Sequence, residues 1–198
     1  MQQWTQAVHI LATALTDIRC SAEKQEPLAP DAAFNKWHNQ TQSIRSSDQR
    51  IFLIGNGASA SMASHCAADL SKNGKVQALV FTDLSQITAI GNDNGFQNVY
   101  AIPLQQYSHP GDMLVAISSS GASPNILTAV RTAHEQGLFI VTLSGFSPDN
   151  PLSGMGMLNF YVPGATYGLV ETSHAAILHF WMDMVSTSSE KDYVESTP

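Results

Sequence analysis

The chain has 198 residues, 43% of them hydrophobic and 13% charged, with a formal net charge of −7. That length fits one domain with a sizeable core, and the apolar content excludes a disordered chain. The sequence holds 9 Lys and Arg, and between Val76 and Glu190 Arg131 is the sole basic residue, so no basic stripe exists to neutralise a nucleic-acid backbone. An anionic ligand would have to be held by backbone N–H groups, hydroxyls and helix N-termini.

The two cysteines, Cys20 and Cys66, form no CxxC, which argues against a disulfide framework or zinc knuckle. The N-terminus lacks a basic region and an A-x-A cleavage site, and no apolar run approaches the roughly 18 residues of a membrane span. A reducing cytoplasm and no membrane partner are the expectation.

In chain order, residues 1–50 read as a helical arm. Trp4, Val8, Ile10, Leu11 and Leu15 recur at helical spacing. Pro27 and Pro30 interrupt the pattern, and Ala33 to Ser46 suits a second helix. From Arg50 the grammar changes. IFLIG is a short apolar run ending in glycine, as in a buried parallel strand, and a helix follows over Ser61 to Ser71. VQALVF is a second strand. Asp83 to Ile90 suits a short helix, with GNDNGF as a turn-rich loop after it. MLVAIS, LFIVTLSG and MLNFYVPG complete five strands. Helices are expected over Asn125 to Gln136 and Tyr167 to Val185. This alternation predicts an α/β fold, a parallel sheet with helices on both faces, over residues 51–186. A polar tail is expected at 187–198.

Two strand-to-helix junctions share one logic. Gly55-Asn56-Gly57-Ala58-Ser59 follows the first strand, and Ser118-Ser119-Ser120-Gly121-Ala122-Ser123-Pro124 follows the third. Ligands of doubly wound sheets sit outside the carboxyl ends of the strands. Glycine permits close backbone approach there, and the next helix offers free N–H groups and its positive end. Ser118, Ser119, Ser120 and Ser123 add hydroxyls. The result is a phosphate cradle without lysine, neither a Walker A loop nor a GxGxxG turn. The competing reading is a Ser/Gly-rich connection that only caps a helix.

His65 and Asp69 are four apart and share one helix face, where they can bind a divalent metal or act as an acid–base pair; the competing reading is a pair that only satisfies each other's hydrogen bonds. Glu171, His174 and His179 lie in the last helix. Glu171 and His179 stand roughly 80° apart around the axis, and His174 about 60° to the other side of Glu171. His174 and His179 therefore cannot both point at one small centre. Asp93, within Ile90–Phe96, is a candidate to touch a ligand at the sheet's edge, and a plain turn is the competing reading.

These motifs resemble the SIS (sugar isomerase) domain, and within it the phosphoheptose isomerases. The resemblance is carried by GNGAS at Gly55–Ser59, SHCAADL at Ser64–Leu70, AIGNDNGF at Ala89–Phe96, PGDMLVAISSSGASPNIL at Pro110–Leu127 and ETSHAAILH at Glu171–His179. It implies a flavodoxin-like, five-stranded parallel sheet and a homotetramer with active sites between subunits. It implies that Ser59, Ser118, Ser120 and Ser123 hold the sugar phosphate, with Ser119, Asn56, Gly57, Asn92 and Asp93 close to the substrate. It also implies a zinc site, with His65 and His179 as ligands and Asp69 and Glu171 standing where the family usually has Glu and Gln. Gly168-Leu169 replaces the family's Asp-Arg, and Asn73 replaces an Arg. The expected reaction is ketose–aldose isomerisation of a phosphosugar, sedoheptulose 7-phosphate above all, by a metal-assisted enediolate that serves surface-polysaccharide precursors. Asp69 is the expected base, with Glu171 as runner-up, and His179 moves protons between the oxygens. Isomerisation of a different phosphosugar and a non-catalytic regulator are the alternatives.

Overall fold

A computed structural model describes residues 3–195, with the backbone alone for 188–195. The strands are β1 (Arg19–Ala22), β2 (Pro27–Leu28), β3 (Arg50–Gly55), β4 (Gln77–Val80), β5 (Met113–Ser118), β6 (Phe139–Ser144) and β7 (Leu158–Tyr161). The helices are α1 (Trp4–Thr16), α2 (Pro30–Ser46), α3 (Ala58–Lys72), α4 (Leu84–Asp93), α5 (Ala101–Tyr107), α6 (Pro124–Glu135) and α7 (Tyr167–Glu195). The sheet order is β2-β1-β7-β6-β5-β3-β4.

Strands β7, β6, β5, β3 and β4 run parallel and are the five expected from the apolar runs. Apart from the edge strand β4, whose residues alternate exposed and half-buried, they are buried on both faces because their side chains alternate between two cores. Ile51, Leu53, Val115, Val141 and Phe160 face one cluster, shared with α2, α3 and α7. Phe52, Ile54, Leu114, Ala116 and Ile140 face the other, shared with α5 and α6. The chain steps from β3 outward to β4 and then crosses back to β5 on the other side of β3. The crevice between the carboxyl ends of β3 and β5 is therefore the topological switch point, the place where such sheets bind ligands.

The sheet has seven strands rather than five. β1 and β2 lie in the segment expected to be a helical arm interrupted at Pro27 and Pro30; β1 adds antiparallel to the free edge of β7, with Arg19 opposite Tyr161 and Ala22 opposite Leu158, and β2 pairs antiparallel with β1. β1 alternates exposed and buried residues, and two-residue β2 closes the edge with a proline, which blunts further pairing. A second correction concerns Gly91, Asn92 and Asp93. They belong to α4 and not to a loop. Asp83 caps α4 by accepting the Gln86 N–H at 2.8 Å, and the turn comes only at Asn94 and Gly95, where φ is +86°.

The N-terminal segment divides in two. α2 is part of the core: Trp37 and Trp181 of α7 stack with centroids 4.0 Å apart and are fully buried. Trp181 Nε1 donates to Thr41 Oγ1 at 3.1 Å. α1 buries only Ala14 and leaves Trp4 81% exposed. At the other end, α7 carries on to Glu195. The expected polar tail thus begins as helix, and residues 196–198 lie outside the described residues.

Candidate active site

The two junctions leave neighbouring strands at one level. Gly55 of β3 pairs with Ile117 of β5, and Ser118 of β5 pairs with Ser144 of β6. The turn after β3 tightens around Gly55, where a Cβ would lie 2.6 Å from the Ser59 backbone carbon. Gly57, at φ +55°, precedes α3 without a side-chain cap. Ser59 is buried and its N–H donates to the Asn56 carbonyl at 3.0 Å. Tyr100 closes the turn from behind by donating its hydroxyl to the Gly55 carbonyl. Burial raises the Tyr100 pKa, so the phenol stays a donor.

In the serine loop, the Ser118 hydroxyl accepts the Gly121 N–H at 3.2 Å and lies 3.4 Å from Ser123 Oγ. Ser120 Oγ accepts the Ala122 N–H at 3.3 Å. Gly121 sits at φ +61°, and a Cβ there would lie 1.8 Å from Asn150 Oδ1. Asn150 holds the loop from below: it donates to Ser144 Oγ at 3.1 Å and to the Ser147 carbonyl at 2.7 Å. Ser123 precedes α6 but makes no side-chain cap, and Pro124 follows it. The first-turn amides of α6 thus have no capping side chain, which suits an anion. Ser119 is different: its hydroxyl is enclosed and has no partner.

Asn56 and Asn125 tie the two loops together. Each side-chain amide donates to the other's oxygen, at 3.0 and 2.8 Å. Sequence reading singled out Asn56 as a substrate contact and passed over Asn125, Asn150 and Tyr100. The Asn that ends the quoted SSSGASPN run was the available signal for Asn125.

The ionisable cluster lies on the helices. His65 Nε2 is 3.4 Å from Asp69 Oδ2 on α3, with both side chains accessible. The His65 ring faces His179 of α7, with centroids 5.3 Å apart. His174 turns the other way, as the helical spacing requires. It is fully buried, and its Nε2 lies 3.1 Å from the Ser144 carbonyl. That carbonyl can only accept, so Nε2 carries the proton and Nδ1 is left without a partner. Burial pushes the His174 pKa down to about 4. Asn92 donates to the Asp93 carboxylate at 2.7 Å, with both residues exposed.

Zinc takes nitrogen and oxygen donors of the kinds carried by His65, Asp69, Glu171 and His179. The chain brings His65, Asp69 and His179 near one another, while Glu171 stands about 12 Å from His179 along the axis of α7. Among the described residues, no three His, Cys, Asp or Glu side chains are placed to hold one ion.

A serine-lined helix N-terminus at the switch point, with an imidazole–carboxylate cluster on α3 and α7, sits in a chain that comparison places in a known class. The family model for the SIS domain matches residues 33–145. The chain is 37% identical over 152 residues to the phosphoheptose isomerase of Bradyrhizobium sp. (strain ORS 278), covering 72% of this chain and 75% of the relative. It is 33% identical over 153 residues to that of Fusobacterium nucleatum, covering 74% and 78%. The solved phosphoheptose isomerase GmhA from Neisseria gonorrhoeae superposes with a TM-score of 0.79 at 26% identity, over 92% of this chain and 94% of that one. The chain belongs to the phosphoheptose isomerase family of SIS-domain proteins, a family of sugar-phosphate isomerase enzymes.

Proposed function

We propose that the protein interconverts a ketose phosphate and an aldose phosphate, with sedoheptulose 7-phosphate and D-glycero-D-manno-heptose 7-phosphate as the pair. The observation that carries this reading is the accessible His65–Asp69–His179 cluster, which a pure binding domain has no need of. The phosphate docks on the first turn of α6 and takes hydrogen bonds from Ser118, Ser120 and Ser123. Asp69 removes a proton from C1 of the open-chain ketose, and the electron pair forms the C1–C2 double bond of an enediolate. His179 gives a proton to the C2 oxygen and takes one from the C1 oxygen. The Asp69 carboxyl, accessible and in exchange with solvent, then delivers a proton to C2, which completes the aldose. His65 holds the Asp69 carboxylate in orientation.

Replacing Ser120 with alanine weakens sugar-phosphate binding about tenfold, the loss expected for one hydrogen bond to a charged group. Isothermal titration with sedoheptulose 7-phosphate reads it, and unchanged affinity removes the loop from the site. The same reading includes a homotetramer. The exposed Trp4 and Val8 of α1 support it, because a helix that buries one alanine leaves its apolar side for another chain. Trp4→Glu is expected to lower the mass found by light scattering; an unaltered tetramer contradicts a role for α1.

A further inference from the structure

The crevice at the switch point is spanned by a side-chain clasp. Asn56 lies in the turn after β3 and Asn125 in the first turn of α6, 69 residues apart in sequence. Their amides meet head to head, each donating once and accepting once. Asn125 is 2% exposed, so its side chain is out of reach of a bulk ligand and is matched to Asn56 alone. The remaining contacts of each loop run the other way. The β3 turn is held from behind by Tyr100, and the serine loop from below by Asn150 and Leu152, whose N–H donates to the Gly121 carbonyl at 3.0 Å. These anchors fix each loop to its own surroundings. The paired amides fix one loop to the other.

We propose that Asn125 is a positioning residue: through its paired amide with Asn56 it sets the separation of the β3 turn and the serine loop, so that a sugar phosphate is gripped by both at once. The proposal rests on the isomerase reading for its substrate. The geometry gives a role to a buried, amide-paired residue at the start of the helix that would take the phosphate. Two part-buried, mutually satisfied hydrogen bonds are lost together when either partner is removed, because the survivor is left with an unpaired donor and acceptor.

The test uses the full chain and the variants Asn125→Ala, Asn125→Asp, Asn56→Ala and the double alanine variant. Turnover of sedoheptulose 7-phosphate is measured together with binding of that sugar phosphate and of inorganic phosphate. Inorganic phosphate reaches only the serine loop. Asn125→Ala is expected to lower kcat/KM about 30-fold, as two hydrogen bonds of ordinary strength predict, while inorganic phosphate affinity changes less than about threefold. Asn125→Asp keeps the volume and one of the two bonds and falls between. The double variant loses no more than the worse single variant, because either substitution alone opens the clasp. Equal losses for sugar phosphate and inorganic phosphate overturn the proposal, since they mark collapse of the serine loop. Full activity in Asn125→Ala overturns it too, as does additive loss in the double variant. A wild-type chain that binds the sugar phosphate without turning it over sinks the isomerase reading instead; the ratio of the two affinities then decides the clasp.

Discussion

The His179→Ala variant is expected to lose about a thousandfold in kcat with its sheet and its oligomeric mass intact. The scale is that of a positioned general acid–base group. His179 is exposed on α7 and meets His65 across the α3–α7 seam, so its imidazole carries no core packing and the fold does not depend on it. The loss therefore belongs to the chemical step. Substrate affinity, set by the serine loop and the first turn of α6, stays within a few fold of the parent. Circular dichroism, light scattering and steady-state kinetics on the same preparation separate the effects. Retained turnover would remove His179 from the proton relay and leave His65 as the imidazole to examine.

His174 produces the second large effect, on stability and not on turnover. Burial holds its pKa at about 4 in the folded protein, against an ordinary value of 6.5. The unfolded chain takes up a proton at this residue as the pH falls below 6.5, and the folded chain does not until about pH 4. Stability from His174 is thus fully present above pH 6.5 and is lost as the pH falls to about 4. A difference of this size corresponds to about 3 kcal/mol. In His174→Gln, which keeps an amide donor for the Ser144 carbonyl, this dependence disappears. Urea unfolding of both proteins between pH 7 and pH 4 should show the parent losing about 3 kcal/mol more than the variant across that window. Parallel pH profiles would mean that His174 is not held neutral by its surroundings.

Much of the fold was legible because it is written in short-range patterns. The five parallel strands follow from apolar runs, four of which end in glycine or serine, and the two ligand loops follow from their place after the first and third of those runs. The opposed directions of His174 and His179 follow from 100° per residue on a helix. What the sequence hid depends on partners distant in the chain. β1 and β2 are four and two residues long and exist as strands only because β7 offers a free edge. Gly91-Asn92-Asp93 has the composition of a turn, yet the cap at Asp83 and packing beside Phe96 and Val99 carry the helix through it. The candidate site divides the same way. Spacing alone placed His65 and Asp69 on one face, but no local signal shows that Asn56 and Asn125 would occupy each other, or that the Ser119 hydroxyl would be enclosed while Ser120 stays accessible. The four donors read as a zinc set lie on two helices, and whether they converge is set by helix packing, which spacing does not report; among the described residues no three of them do.

The central claim is enediolate chemistry on a sugar phosphate, and the most direct test is proton NMR of the purified protein with sedoheptulose 7-phosphate in D₂O. Growth of the aldoheptose phosphate signals is expected, with deuterium carried at C2, together with loss of C1 proton intensity from the remaining ketose. A ketose spectrum that stays unchanged, with full C1 proton intensity and no aldose, would contradict it.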